Sequence, residues 1–205
     1  MNDKIVAIIP ARGGSKGLKN KNIKIFRGKP LIYWSIKAAK ESKLIDDFYV
    51  STDSQKIKNI CLKNNCKVID RPKNISHDSS KTIDALKHAV RKTNASKVVI
   101  LQPTSPLRPK NLVDKCLGIY LKSKKNSLAT GRYLTIYPWG KYNNIGRQKL
   151  KEWFWDDGLL YILSTKDINK KIWASKNRIC FEVSKKYNLI EIDDLLDFQL
   201  IKKFY

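Results

Sequence analysis

Ile5-Val6-Ala7-Ile8-Ile9-Pro10-Ala11-Arg12-Gly13-Gly14-Ser15-Lys16-Gly17, followed by Lys21-Asn22, decides how the rest of this chain is read. An apolar, β-rich run ends in a proline and breaks into a loop carrying three glycines, a serine and several cations. Glycines let the backbone approach a ligand closely and turn its N–H groups inward. Arg12, Lys16 and Lys21 add fixed positive charge suited to phosphate oxygens. A buried strand that opens into such a loop reads as a nucleotide-phosphate site at the edge of an α/β sheet. The loop matches neither G-x-x-x-x-G-K-[ST] nor a G-x-G-x-x-G that opens directly into a helix, because the first good helix starts only near Pro30. A turn that merely connects two elements has no need of these three cations together.

Working outward, strand-like and helix-like segments alternate through the first 125 residues. Strands are expected at 4–9, 47–52, 67–70 and 97–102, and helices at 30–42, 54–65, 80–93 and 109–123. Ser54 and Pro109 sit where a cap and a first-turn proline belong. This rhythm predicts an α/β fold: one Rossmann-like domain over residues 1–205, mostly parallel in its sheet, with helices on both faces. Ligands on such sheets sit at the carboxyl ends of the strands. The glycine-rich loop, Ser51-Thr52-Asp53 and Gln102-Pro103-Thr104-Ser105 all fall there. From about residue 126 the rhythm changes, and strands at 126–132 and 153–163 flank a Tyr-, Pro-, Gly- and Asn-rich stretch that reads as an inserted hairpin or lid. The tail, residues 189–198, reads as a short strand running into an amphipathic closing helix.

The 205 residues suffice for one substantial domain, and a hydrophobic content of 42% supports a core. No stretch of about 20 apolar residues exists, and the start of the chain is charged and strand-forming. The expectation is a soluble cytoplasmic protein with no membrane partner. Cys61, Cys66, Cys116 and Cys180 lack C-x-x-C spacing and read as buried reduced thiols rather than a zinc site. A net charge of +24 raises nucleic-acid binding as an alternative function. Lysine outnumbers arginine 34 to 8, however, and is spread over the whole chain, with Asn (15) and Ile (24) also heavily used. That is the signature of AT-rich composition rather than of base-edge recognition, where arginine dominates.

Taken in order, the motifs resemble those of the acylneuraminate cytidylyltransferase family, which makes CMP-activated nonulosonic acids. The resemblance covers nearly the whole chain. Its blocks are Ile9 to Gly17 with Lys21-Asn22, Gly28-Lys29-Pro30-Leu31-Ile32, Ser51-Thr52-Asp53-Ser54, Arg71-Pro72, Asp78…Thr82-Ile83-Asp84…His88, Leu101 to Arg108, Arg147-Gln148, Asp157-Gly158 and Glu191-Ile192-Asp193…Asp197-Phe198. It implies a nucleotidyltransferase that joins CMP from CTP to an acidic nine-carbon sugar, for surface glycan synthesis, and releases pyrophosphate. It further implies that Arg12, Gly13, Gly14, Ser15, Lys16 and Lys21 hold the triphosphate, with Arg12, Lys16 and Lys21 catalytic. Asn22, Arg71 and Ser80 would contact the cytidine, while Gln102, Thr104, Ser105 and Arg147 would serve the sugar. An Mg²⁺ ion would be held by Glu191 and Asp193, where the family has an Asp-x-Asp pair. Alternation along a strand would place these two carboxylates on one face. Compared with the family, 127–156 is a shortened lid or dimerisation excursion, which leaves open a reduced homodimer interface and a different keto-acid sugar, sugar phosphate or phosphonate as acceptor.

Other residues keep two readings. Asp53 orients the loop or caps the next helix, and Asp193 and Asp194 could cap the last one. His88 makes a structural hydrogen bond, one turn from Asp84, or serves as a base. Trp153 and Trp155 pack in a core or an interface, or stack on a base.

Overall fold

The computed structural model describes residues 3–137, 140–141, 144–184 and 191–204, and the backbone alone of Arg147. In chain order the elements are β1 (Ile5–Pro10), the two-residue strands β2 (Ile25–Phe26) and β3 (Lys29–Pro30), α1 (Leu31–Glu41), β4 (Asp47–Thr52), α2 (Gln55–Lys63), β5 (Lys67–Asp70) and α3 (Thr82–Thr93). They continue with β6 (Lys97–Ile100), α4 (Leu112–Lys122), β7 (Ser127–Thr135), β8 (Glu152–Ser164), α5 (Thr165–Asn169), β9 (Arg178–Glu182) and α6 (Leu195–Phe204). Seven strands form one sheet in the order β5-β4-β1-β6-β8-β7-β9, while β2 and β3 make a separate hairpin. β1 lies between β4 and β6, parallel to both.

The apolar run is what puts β1 in the middle. Ile5, Ala7 and Ile9 face one way, into a core shared with α1, α2 and α4. Val6 and Ile8 face the other way, onto α3 and the buried Ile168 of α5. A strand apolar on both faces belongs in a parallel sheet covered by helices on both sides. Each fully buried Val or Ile side chain contributes about 1.5–3 kcal/mol. From β1 the chain steps outward to β4 and β5, and α3 then carries it back over the sheet to β6 on the far side of β1. That reversal opens a crevice at the carboxyl ends of the central strands, where ligands bind in such sheets.

The expected strands and helices of the first 125 residues are present with small shifts at their ends. α4 begins at Leu112 rather than Pro109, because Asn111 before it adopts a left-handed φ of 61°. Ser54 precedes α2 without capping it through its side chain. Instead the Ser54 N–H donates to Thr52 Oγ1 at 3.1 Å. α5 and β9 were not foreseen by periodicity, being too short to show one. The strand expected at the start of the 189–198 tail is not formed over its described part: residues 191–193 pair with no strand among the described residues, and Ile192 N–H donates to Thr104 O at 2.9 Å.

The excursion over 127–156 is a hairpin of β7 and the first part of β8. Its inner half lies in the main sheet beside β6, through β8. The pairing slips between Ala129 and Gly131, and the extra residues on β8 bulge out at Asp157-Gly158. Bulges of this kind re-aim a strand next to a site.

Candidate active site

The crevice is a cleft of about 420 Å³ whose walls include Arg12, Ser15, Lys16, Gly17, Lys21, Asn22, Arg71, Ser80, Gln102, Thr104, Glu191 and Asp193. Residues from both ends of the chain thus meet in one cavity. A larger groove of about 720 Å³ runs between α1 and the start of α4. Its charged groups, such as Asp114 with Ser42 and Lys37 with Glu41, pair locally, and it holds none of the converging groups. A third cavity, about 250 Å³, is walled by Trp153, Phe154, Tyr161 and Trp173 around Asp156, which accepts from Tyr161 Oη at 2.5 Å.

The phosphate-loop side is built first. Ala11 N–H extends the strand register by donating to Ser51 O at 2.9 Å. Gly13 N–H donates to Asp53 Oδ1 at 2.8 Å, so Asp53 orients the loop and does not cap α2. A Cβ at Gly13 would meet Ser54 Cβ at 2.8 Å, whereas one at Gly14 would meet nothing within 4 Å. Gly13 therefore shapes the loop against α2, with its own donor already committed. Asn22, buried in a 3-10 turn, donates from Nδ2 to Arg12 O at 3.0 Å. Arg71 is buried behind it, donating to Ser51 Oγ at 3.1 Å and Ser51 O at 2.7 Å. Burial pulls the Arg71 guanidinium down to about 10, against Asp53, and Arg12 adds to the pull; it stays charged at neutral pH. Arg12 Nη1 and Lys16 Nζ both reach the carboxylate of Asp78, at 2.5 and 3.2 Å.

The opposite wall is the carboxylate side. Glu191 Oε1 accepts from Thr104 Oγ1 at 3.2 Å. Burial first, and the neighbouring Asp193 second, raise the Glu191 carboxyl above its ordinary range. Lys21 Nζ donates to Ile192 O at 2.8 Å and Asp193 Oδ1 at 2.9 Å, tying the two walls together. A Cβ at Gly17 would meet Asp193 O at 2.4 Å, so the loop and the carboxylate segment touch backbone to backbone. The alternation argued for Glu191 and Asp193 survives without a strand. Ile192 between them points into an apolar cluster with Leu18, Phe26, Leu31, Phe198 and Ile201, and both carboxylates face the cleft. Capping falls to Asp194 and Asp197, not to the side chain of Asp193. Asp194 Oδ1 accepts from Asp197 N–H at 3.0 Å, and Asp197 Oδ2 accepts from the N–H groups of Asp193 and Asp194.

Two residues that the sequence places in motif blocks without a role build the site. Gly158, at φ +69°, presses its backbone against the site: a Cβ there would meet Ser105 Oγ at 2.7 Å, Glu191 Oε1 at 2.9 Å and Gln102 Oε1 at 3.2 Å. Arg108 is half-buried and fastens the Gln102 loop, donating to Gln102 O, Leu159 O and Ser35 Oγ at 2.6, 2.7 and 3.1 Å. Burial draws Arg108 down to about 9, opposed by Asp157. Ser105 is 2% exposed and donates to Asp157 O, so it braces the wall instead of lining the cleft. The Arg147 side chain lies outside the described residues. Asp84 pairs with Lys171 rather than His88, whose buried Nδ1 has no partner among the described residues. Trp153 and Trp155 are 54% and 57% exposed on the hairpin, so neither belongs to the core of a single copy.

Among the described residues no group of three or more His, Cys, Asp or Glu could hold a metal by itself. Glu191 and Asp193 nonetheless fit a hard divalent cation of the Mg²⁺ kind, which takes one or two carboxylates and completes its shell with phosphates and water.

Comparison with known proteins bears on this cleft. The chain is 29% identical over 221 residues to N-acylneuraminate cytidylyltransferase of Escherichia coli O18:K1:H7, covering 98% of this chain and 52% of that protein. It therefore spans about half the length of the first curated relatives it matches. CMP-N,N'-diacetyllegionaminic acid synthase of Legionella pneumophila is 28% identical over 224 residues, covering 98% of this chain and 95% of that protein. Among solved structures, CMP:2-keto-3-deoxy-manno-octonic acid synthetase complexed with CTP superposes with a TM-score of 0.77 at 17% identity, over 98% of this chain and 97% of that one. The expected nucleotidyltransferase fold is thereby shown. With residues 6–138 matching the model of the family described as Cytidylyltransferase, this chain belongs to that family.

Proposed function

We propose that this protein transfers CMP from CTP to a nonulosonic acid, releasing pyrophosphate and forming a CMP-sugar for surface glycan synthesis. The observation that carries the reading is the meeting, in one cleft, of Arg12, Lys16 and Lys21 with Glu191 and Asp193, which come from opposite ends of the chain. A sugar hydroxyl attacks the α-phosphorus, the α–β bridging bond breaks, and charge spreads over the phosphate oxygens. Catalysis of that kind is positioning plus electrostatic stabilisation. Arg12, Ser15, Lys16 and Lys21 would hold the triphosphate, with Lys21 toward the reacting α-phosphate or the leaving pyrophosphate. Asn22, Arg71 and Ser80 form the nucleoside end, and Gln102 and Thr104 the acceptor end, with Ser105 bracing them. Glu191 and Asp193 hold Mg²⁺, which when bound neutralises charge on the phosphates. Arg147 is assigned to the sugar carboxylate on the resemblance alone. We assign the reaction to the cytoplasm, where CTP is supplied. The exposed hairpin aromatics Tyr133, Trp153 and Trp155 support a homodimer, which sedimentation at two concentrations would test.

The test is pyrophosphate release with Mg²⁺ and CTP across sialic, legionaminic, pseudaminic and 3-deoxy-manno-octulosonic acids, with ATP, GTP and UTP as controls. Release with CTP and one nonulosonic acid is expected. Release only with 3-deoxy-manno-octulosonic acid would change the acceptor, and silence with every acid would overturn the proposal.

A further inference from the structure

Asp78 belongs to none of the roles above, yet it touches two of the three loop cations. It sits on the turn that leads from β5 into α3, and that turn is braced from within. Ser80 N–H donates to His77 O at 3.0 Å, His77 N–H donates to Ser80 Oγ at 3.1 Å, and Ser76 Oγ donates to Pro72 O at 2.8 Å. His77 adds ring contacts to Ser79 Oγ at 2.8 Å and Asn74 O at 3.0 Å. The braced turn holds one carboxylate across the cleft mouth, with Oδ1 on Arg12 and Oδ2 on Lys16. Two cations converging on two oxygens of one anion is the arrangement a phosphate group would require of the same side chains.

We propose that Asp78 is an internal counter-anion, a latch that occupies the phosphate-binding cations of the nucleotide-free protein and must be exchanged for the phosphates of an incoming nucleotide. The inference rests on the proposed function for the identity of that nucleotide. The latch is built to open. The Asp78 and Lys16 side chains are 37% and 83% exposed, and ion pairs at such positions are weak. Arg12 and then Lys16 hold the Asp78 carboxyl below its ordinary range, so it remains an anion throughout the working pH range. A carboxylate left beside a bound triphosphate would repel it, so the anion that binds must outcompete Asp78. The latch therefore loosens the hold on the triphosphate and on the pyrophosphate product alike, and the second effect eases product release.

The test compares binding of inorganic tripolyphosphate, pyrophosphate and CTP to the wild type, Asp78→Asn, Asp78→Glu and Glu41→Gln by titration calorimetry. Glu41→Gln removes one negative charge from α1, outside the cleft, and controls for the overall change in net charge. Asp78→Asn should bind all three anions about three- to tenfold more tightly, as expected for removal of an exposed competing pair. Pyrophosphate should become a correspondingly stronger product inhibitor. Asp78→Glu should stay within about twofold of wild type, and Glu41→Gln should not change. Damage to the fold can only weaken binding, so the direction of the effect separates a latch from a structural strut. Unchanged or weaker binding of tripolyphosphate by Asp78→Asn would overturn the latch, even in an enzyme that makes CMP-sugars. Tighter tripolyphosphate binding in a protein that ignores CTP would keep the latch and overturn the proposed nucleotide.

Discussion

Replacing Gly17 by alanine tests whether the loop and the carboxylate segment must touch. The new Cβ would lie 2.4 Å from Asp193 O, while ordinary contact begins at 3.4 Å, so about 1 Å of separation must be created. Neither side can simply swing away. Leu18, the next residue, is 5% exposed and Ile192 is fully buried, both in the cluster that seats α6. Overpacking of this kind costs about 1–3 kcal/mol. At roughly 2–4 °C per kcal/mol for a chain of this size, Tm should fall by roughly 2–12 °C. A shift of about 1 Å between Lys21 and Asp193 should lower kcat by on the order of a hundredfold. The assay pairs initial-rate pyrophosphate release with equilibrium CTP binding. Affinity should stay within about threefold of wild type, because the damage falls on positioning of the reacting groups. Gly14→Ala is the matched control: its Cβ would meet nothing within 4 Å, and its Tm should not move. A Gly17→Ala protein with wild-type kcat and Tm would refute the reasoning.

Two further outcomes follow from the same geometry. Burial raises the folded-state pKa of Glu191, so its ionisation opposes folding at neutral pH. Glu191→Gln should therefore be more stable than wild type at pH 7, and denaturant titrations should show the advantage fading as pH falls through the raised folded-state pKa and gone below about 4.3, where the glutamate is protonated in both states. The same variant should lose most of its turnover. Asp194→Ala removes the acceptor for Asp197 N–H at the start of α6 and should cost about 1 kcal/mol, read as a lower denaturation midpoint; an unchanged midpoint would deny the capping role.

How much could be read beforehand depended on the range of the interaction. The two-faced burial of β1 follows from an apolar run with no solvent-facing alternation, and the convergence of the Arg12 loop, Asp53 and Gln102 follows from strand ends in a parallel sheet. Those inferences need only local pattern and a topological rule. Gly158 needed more, because its approach to Glu191 depends on a register slip between β7 and β8 that neither strand announces by itself. Arg108 closes one of the motif blocks, but the motif does not say what its guanidinium does. Its burial is set by three acceptors on β8, α1 and the Gln102 loop. Residues 191–193 have strand-like alternation but find no neighbouring strand among the described residues, so the alternation decides which side chains face the cleft without producing a strand. The pairing of Asp84 with Lys171, which lies 87 positions later, left His88 without its expected neighbour.

The contact between Lys21 and Ile192 spans 171 positions of chain. Loop-closure entropy grows only with the logarithm of length, so this late closure is thermodynamically cheap, and so is its reversal. The carboxylates are carried by a small module, Ile192 with Phe198 and Ile201 of α6, seated on Leu18, Phe26 and Leu31 apart from the two clusters that flank the sheet. Such a unit can open as a foldon of its own while the seven-stranded sheet stays intact. Mild urea should then silence the enzyme before it melts it, with activity and amide protection in α6 lost together, ahead of the far-ultraviolet circular dichroism of the whole.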